Sequence, residues 1–291
     1  MDDGATRDAG GAVPPPRRRP AASTVAAVAA VVLLVAVAVV AAFAASGRLV
    51  LPGRCAPDDA ACMRVLFVGN SYTYANDLPG TVADLIRAGG TPVEVASVAV
   101  GGATLSDHAA SSETDGAMAS RRWTDVVLQD QSLLPASAAY RASAFIPAAR
   151  TLAARASSAG ARVLLFETWA HRDGWPEEGI DGFDAMQSAI DRAYAEAGTA
   201  TGATVVPVGA ALRAALAADP GLQLWQADGS HPAPAGTYLA ACVFYTSLTA
   251  RSPVGLPARL GVGDDVAREL QGIAEATVLG GAGAPTASAM P

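Results

Sequence analysis

From residue 63 onward, short apolar runs alternate with stretches of helical spacing. Arg64-Val65-Leu66-Phe67-Val68 reads as a first strand, Val93 to Val100 as a second and Asp125-Val126-Val127-Leu128 as a third. Arg162-Val163-Leu164-Leu165-Phe166 is a fourth and Thr204-Val205-Val206-Pro207-Val208 a fifth. Between and after them the spacing predicts helices over Leu78 to Ala88, Tyr140 to Ser158, Phe183 to Ala200, Ala235 to Thr249 and Asp265 to Val278. Gly89-Gly90 and Gly160 supply stop signals for two of these helices.

Each strand is apolar on successive residues, so both of its faces are expected to be buried. Strands of that kind alternating with helices predict a parallel sheet covered on both sides. Five of them predict a three-layer α/β/α, flavodoxin-like domain with a five-stranded parallel sheet. Ligand sites in such sheets lie beyond the carboxyl ends of the strands.

The chain ahead of this pattern is built differently. Residues 1 to 20 are rich in Gly, Pro and charge and end in Arg17-Arg18-Arg19-Pro20. They are expected to be a disordered cytoplasmic tail. No charged side chain occurs from Ala21 to Ser46. A helix of about 25 residues spans about 37 Å, enough to cross a hydrocarbon core of about 30 Å. Residues 21–46 are therefore expected to form a transmembrane signal anchor. The arginine cluster places its N-terminus in the cytoplasm and the large domain outside. A cleaved signal peptide is the alternative, with Ala42-Phe43-Ala44 as a small-residue cleavage pattern. Both readings imply export. Residues 47–62 read as a linker, 63–279 as the folded domain and 280–291 as a disordered tail.

Composition changes this picture little. Of 291 residues 51% are apolar, much of that alanine, and every one of the 20 basic residues is arginine. The net charge of -7 argues against a nucleic-acid partner. Cys55 and Cys62 flank a short loop; a disulfide and two free thiols are both open there. Cys242 lies in an apolar helix and reads as a core residue. No cysteine or histidine spacing suggests zinc, and no cofactor is expected.

The candidate chemistry sits where strands end. The first strand runs into Gly69-Asn70-Ser71-Tyr72-Thr73. A serine hydroxyl becomes a nucleophile when a base takes its proton, and a strand-to-helix turn exposes it beside free N–H groups. An ordinary helix-capping loop has the same composition. The segment Asp228-Gly229-Ser230-His231-Pro232 places a carboxylate three residues before an imidazole, a spacing that lets the acid orient the base. A polar surface turn is the plainer alternative. Gly101-Gly102 follows the second strand and Gln129-Asp130-Gln131-Ser132 the third. Glycine N–H groups and a carboxamide are suitable donors to a developing oxyanion.

Taken together, these four segments resemble the sequence blocks of the SGNH, or GDSL-like, hydrolases, in the same order, over about residues 63 to 250. The resemblance implies a serine esterase with Ser71 as nucleophile, His231 as base and Asp228 as its partner. It implies an oxyanion hole made from the Ser71 and Gly102 N–H groups and the Gln131 amide. Asn70 stands where many members have Asp. Gln131 stands where the third block, usually Gly-x-Asn-Asp, carries its Asn, so the amide is displaced by one methylene. The chain is similar to a subgroup with Gln-x-Gln-Ser in that block. The implied reaction is hydrolysis of a carboxylic ester on a small molecule or glycan, O-acetyl groups on carbohydrate or envelope material included. Acyl transfer with the same triad, or a catalytically inactive surface binding module, are the competing functions.

Gln129, Trp169 and His171 are candidate substrate contacts, with Glu167 and Trp175 on the same side of the sheet. His108 reads as a solvated loop histidine. Tyr74 and Asn76 are placed at the pocket border, and Phe244 and Tyr245 in the core. Asp181, Asp184 and Asp191 suit helix capping and a solvated face better than a metal site.

Overall fold

The structure is a computed structural model, and it describes Cys55 and residues 59–257 and 259–280. The expected cytoplasmic tail and membrane anchor and nearly all of the expected C-terminal tail lie outside these residues. The described residues belong to one unit of the chain, Leu51–Pro291, and none of their helices is long and apolar enough to cross a membrane.

Five strands form one parallel sheet: β1 (Met63–Gly69), β2 (Val93–Ala99), β3 (Asp125–Leu128), β4 (Arg162–Glu167) and β7 (Thr204–Pro207), in the order β2-β1-β3-β4-β7. The two-residue strands β5 (Gly174–Trp175) and β6 (Ile180–Asp181) make a separate antiparallel hairpin. Alternation along β1 explains the layers. Val65 and Phe67 face one core and Leu66 and Val68 the other, all fully buried. Helices α1 (Leu78–Ala88), α4 (Val208–Ala218), α5 (Pro234–Thr249) and α6 (Asp264–Leu279) cover the first face; α2 (Ile146–Ser158) and α3 (Phe183–Thr201) cover the second. The described residues form a three-layer α/β/α domain whose strand order reverses between β1 and β3, where ligand sites form in such sheets.

Boundaries follow local chemistry. Asp77 caps α1 by accepting from Gly80 N–H, and Gly89 ends it. The fifth strand stops at Pro207, one residue earlier than predicted, and Val208 starts a helix that the pattern had not suggested. The short helices Leu105–Ala109 and Ser112–Ala119 were also missed, because Leu105 and Met118 are the large apolar side chains they bury. The long helix predicted from Tyr140 begins with a π turn over Arg141–Phe145 before α2 proper.

Cys55 and Cys62 form a disulfide at the start of β1, and Cys242 is a buried free thiol. Phe244 lies in the core as predicted, edge-on to Phe67 at 5.4 Å and to Phe166 at 4.9 Å. It therefore locks α5 to two strands. Phe244→Ala is expected to destabilise the domain by about 3–5 kcal/mol, read as a lower urea midpoint at unchanged slope.

Candidate active site

The segments singled out in the sequence meet at the carboxyl ends of β1, β2, β3 and β4. Ser71 opens a one-turn helix, Ser71–Tyr74, whose cap is Asn70, accepting from Tyr72 N–H. Its hydroxyl lies 3.0 Å from His231 Nε2, and His231 Nδ1 lies 2.6 Å from Asp228 Oδ2. The carboxylate can only accept, so Nδ1 carries the hydrogen and Nε2 presents a lone pair to the hydroxyl. The other Asp228 oxygen accepts from the N–H groups of Ser230 and His231. Burial pushes the Asp228 carboxyl up, but these hydrogen bonds and the imidazole outweigh it and hold it below its ordinary value.

Three donors on the loops that follow β1, β2 and β3 have no hydrogen-bond partner among the described residues: the N–H groups of Ser71 and Gly102 and the Gln131 Nε2 amide. Gly102 has φ +73°, a left-handed conformation that glycine adopts without strain. Gln131 Oε1 accepts from Leu133 N–H at 2.6 Å and Leu134 N–H at 3.0 Å. Those two bonds fix which end of the carboxamide is free.

The loop holding Asp228 and His231 is moulded by the loop after β4. Trp169 Nε1 donates to Ser230 O, and Arg172 N–H donates to Gly229 O. From the other side Asn76 Nδ2 donates to Pro232 O and Thr237 Oγ1, both at 2.9 Å. Asn76 and Asp77 both have left-handed φ, near +50°, a cost of order 1–3 kcal/mol each that such sites retain. Behind the hydroxyl, imidazole and carboxylate lies a second polar cluster. Tyr72 OH is 2.7 Å from Ser230 Oγ, and His171 Nε2 is 3.0 Å from both Ser230 Oγ and Ser132 Oγ. Burial holds the His171 imidazole below its ordinary value. Nothing in the spacing marked Tyr72, Ser132 or Ser230, beyond their adjacency to residues already singled out.

Two predicted substrate contacts are corrected. Gln129 is fully buried, and its carboxamide is consumed by the fold. Its Oε1 accepts from Asn70 N–H and Thr73 Oγ1, and its Nε2 donates to Asn70 Oδ1 and the Asp130 carbonyl. Trp169 is also fully buried, stacked on Tyr72 at 4.6 Å, so it supports the site from beneath. Trp175 packs half-buried against the second core. His108 is not solvated: it is 2% exposed, with Nε2 donating to Gly69 O at 2.8 Å and Nδ1 2.9 Å from Thr114 Oγ1.

A parallel α/β sheet with a Ser–His–Asp hydrogen-bonded line at its switch point is the arrangement of a hydrolase of the esterase class. Comparison narrows this. Over 64% of this chain and 99% of the other, the structure is similar to a protein from Slackia heliotrinireducens described as an SGNH hydrolase, at 34% identity and a TM-score of 0.56. The chain belongs to the SGNH hydrolase family. The same fold occurs in a DUF4886 family protein from Bacteroides uniformis, at 20% identity over 75% of this chain and 95% of that one, TM-score 0.63. It occurs also in a variant of an acetyl-xylooligosaccharide esterase from Geobacillus, at 16% identity over 68% and 97% of the two chains, TM-score 0.51. No family model matches the chain, and no curated protein matches it.

Glu167, at the end of β4, accepts from Ala210 N–H at 3.1 Å in a buried setting. Burial first, then the nearby Asp191 carboxylate, push it from an ordinary 4.5 to about 8, against the pull of Ala210 N–H and Arg213. Between those values the folded chain holds a proton that the unfolded chain has released, so stability falls as pH rises through that window. Glu167→Gln is expected to flatten this fall, and the melting-temperature difference between variant and wild type should grow with pH in favour of the variant. A constant difference across the window would contradict the assignment.

Proposed function

We propose that this protein is an exported, membrane-anchored serine hydrolase that cleaves carboxylic esters through an acyl-enzyme on Ser71. The observation that carries the reading is the 3.0 Å and 2.6 Å line from the Ser71 hydroxyl through His231 to Asp228. His231 Nε2 takes the hydroxyl proton as Oγ attacks the ester carbon. Electron density moves to the carbonyl oxygen, which the N–H groups of Ser71 and Gly102 and the Gln131 amide stabilise. Collapse expels the alcohol, which takes the proton from His231. Water then repeats the sequence on the acyl-enzyme and releases the acid.

O-acetyl groups on carbohydrate or envelope material are the proposed substrate class. Support comes from the proposed export and, at the level of fold alone, from the likeness to an acetyl-xylooligosaccharide esterase. Export rests on the uncharged segment from Ala21 to Ser46, and a Cys55–Cys62 disulfide suits an oxidising compartment.

Wild type is expected to hydrolyse short-chain aryl esters, and Ser71→Ala to lose at least about a thousandfold in kcat. Equal rates in both would end the nucleophile assignment. Protease added to intact cells should digest the large domain; full protection would overturn the orientation.

A further inference from the structure

We propose that Asp130 is a positioning residue for the oxyanion cradle, one carboxylate oxygen setting the two loops that carry the Gly102 N–H and the Gln131 amide. The inference rests on the ester-hydrolase reading and goes beyond it to a residue that lies inside the third block but is given no role there.

Asp130 Oδ1 accepts from Leu105 N–H at 2.9 Å and from Gln131 N–H at 2.8 Å, with Tyr140 OH at 3.3 Å. Leu105 opens the short helix that follows the Gly101-Gly102 turn, which Ala103 N–H closes by donating to Val100 O. Ala103 O in turn accepts from Asn70 Nδ2 at 2.9 Å. The Gly102 turn is thus held downstream by Asn70 at residue 103 and by Asp130 at residue 105. The same oxygen fixes the backbone from which the Gln131 side chain leaves.

Asp130 is fully buried, and its Oδ2 has no partner among the described residues. A buried carboxylate with an unpartnered oxygen is a costly way to hold two turns. The cost is intelligible if the position of both donors is what the site requires, since displacement by about 1 Å can cost about a hundredfold in rate.

The test compares Asp130→Ala, Asp130→Ser, Asp130→Asn and Ser71→Ala in the full chain. The readouts are aryl-acetate kinetics, inhibition by a phenylboronic acid whose adduct carries an oxyanion, and thermal unfolding. Asp130→Ala is expected to lower kcat about 10- to 100-fold and weaken the boronic acid by a similar factor, with KM within about twofold. Asp130→Ser, whose hydroxyl is too short to reach Leu105, should behave alike and serves if the alanine variant does not fold. Asp130→Asn keeps an accepting oxygen and should recover most of the rate. A folded alanine or serine variant with wild-type kcat overturns the proposal, as does a matching rise in KM with no rescue by asparagine. If wild type itself shows no Ser71-dependent turnover, the hydrolase reading falls and the Asp130 role with it. Turnover that is Ser71-dependent but indifferent to Asp130 sinks the Asp130 role alone.

Discussion

A buried amide pair holds the site together. Gln129, at the end of β3, and Asn70, at the end of β1, exchange hydrogen bonds across the point where strand order reverses. Every polar atom of the two carboxamides has a partner: Asn70 also accepts from Tyr72 N–H and donates to Ala103 O, and Gln129 also accepts from Thr73 Oγ1. In a low-dielectric interior an unmade bond at any of these atoms costs about 1–3 kcal/mol, so the register between the loops is strongly specified. Ser71 inherits its place from that register: it is the residue after Asn70, at the first position of a helix whose leading N–H group has no partner among the described residues.

The electrostatics divide the polar groups by depth. Asp228 and His231 lie partly exposed, side chains 47% and 39% accessible, and the carboxylate is held ionised by the N–H groups around it. Asp130, at 0% exposure, is pushed up to about 6 by burial, despite the N–H groups of Leu105 and Gln131 and the Tyr140 hydroxyl. Glu167 is pushed higher still. The ionised carboxylate stands where the proposed mechanism forms an imidazolium, and the buried ones stand under the loops as structural acceptors. Tyr72, stacked on Trp169 and bonded to Ser230, joins the two depths.

Much of this was legible in the chain. Val65 to Val68 are apolar on both faces, which a strand buried between two helix layers requires, and β3 and β4 repeat the signal; β2 and β7 stand at the sheet edges and are buried only in part, against the expectation of two buried faces. Asp228 and His231 were legible because three residues is a reach that one loop can close. What was not legible has physical reasons. Gln129 and Trp169 follow strands on the catalytic side, but whether such a side chain turns up to solvent or down into the fold depends on partners far away in sequence. His108 was misread because Thr114 and the Gly69 carbonyl, which bury it, approach only once the short helices at Leu105 and Ser112 pack. Those helices bury too few large apolar groups to show a period. The fifth strand ends at Pro207, which has no N–H to extend the ladder and stands as the cap of the helix that Val208 begins.

The central claim is that the Ser71 hydroxyl, through its contact with His231, is the nucleophile. A fluorophosphonate reacts with such a hydroxyl and leaves a stable adduct, so peptide mass spectrometry after labelling reads the claim directly. One adduct per chain is expected, on the peptide carrying Ser71, and none after His231→Ala. A label on another residue, or undiminished labelling of the His231→Ala variant, would contradict it.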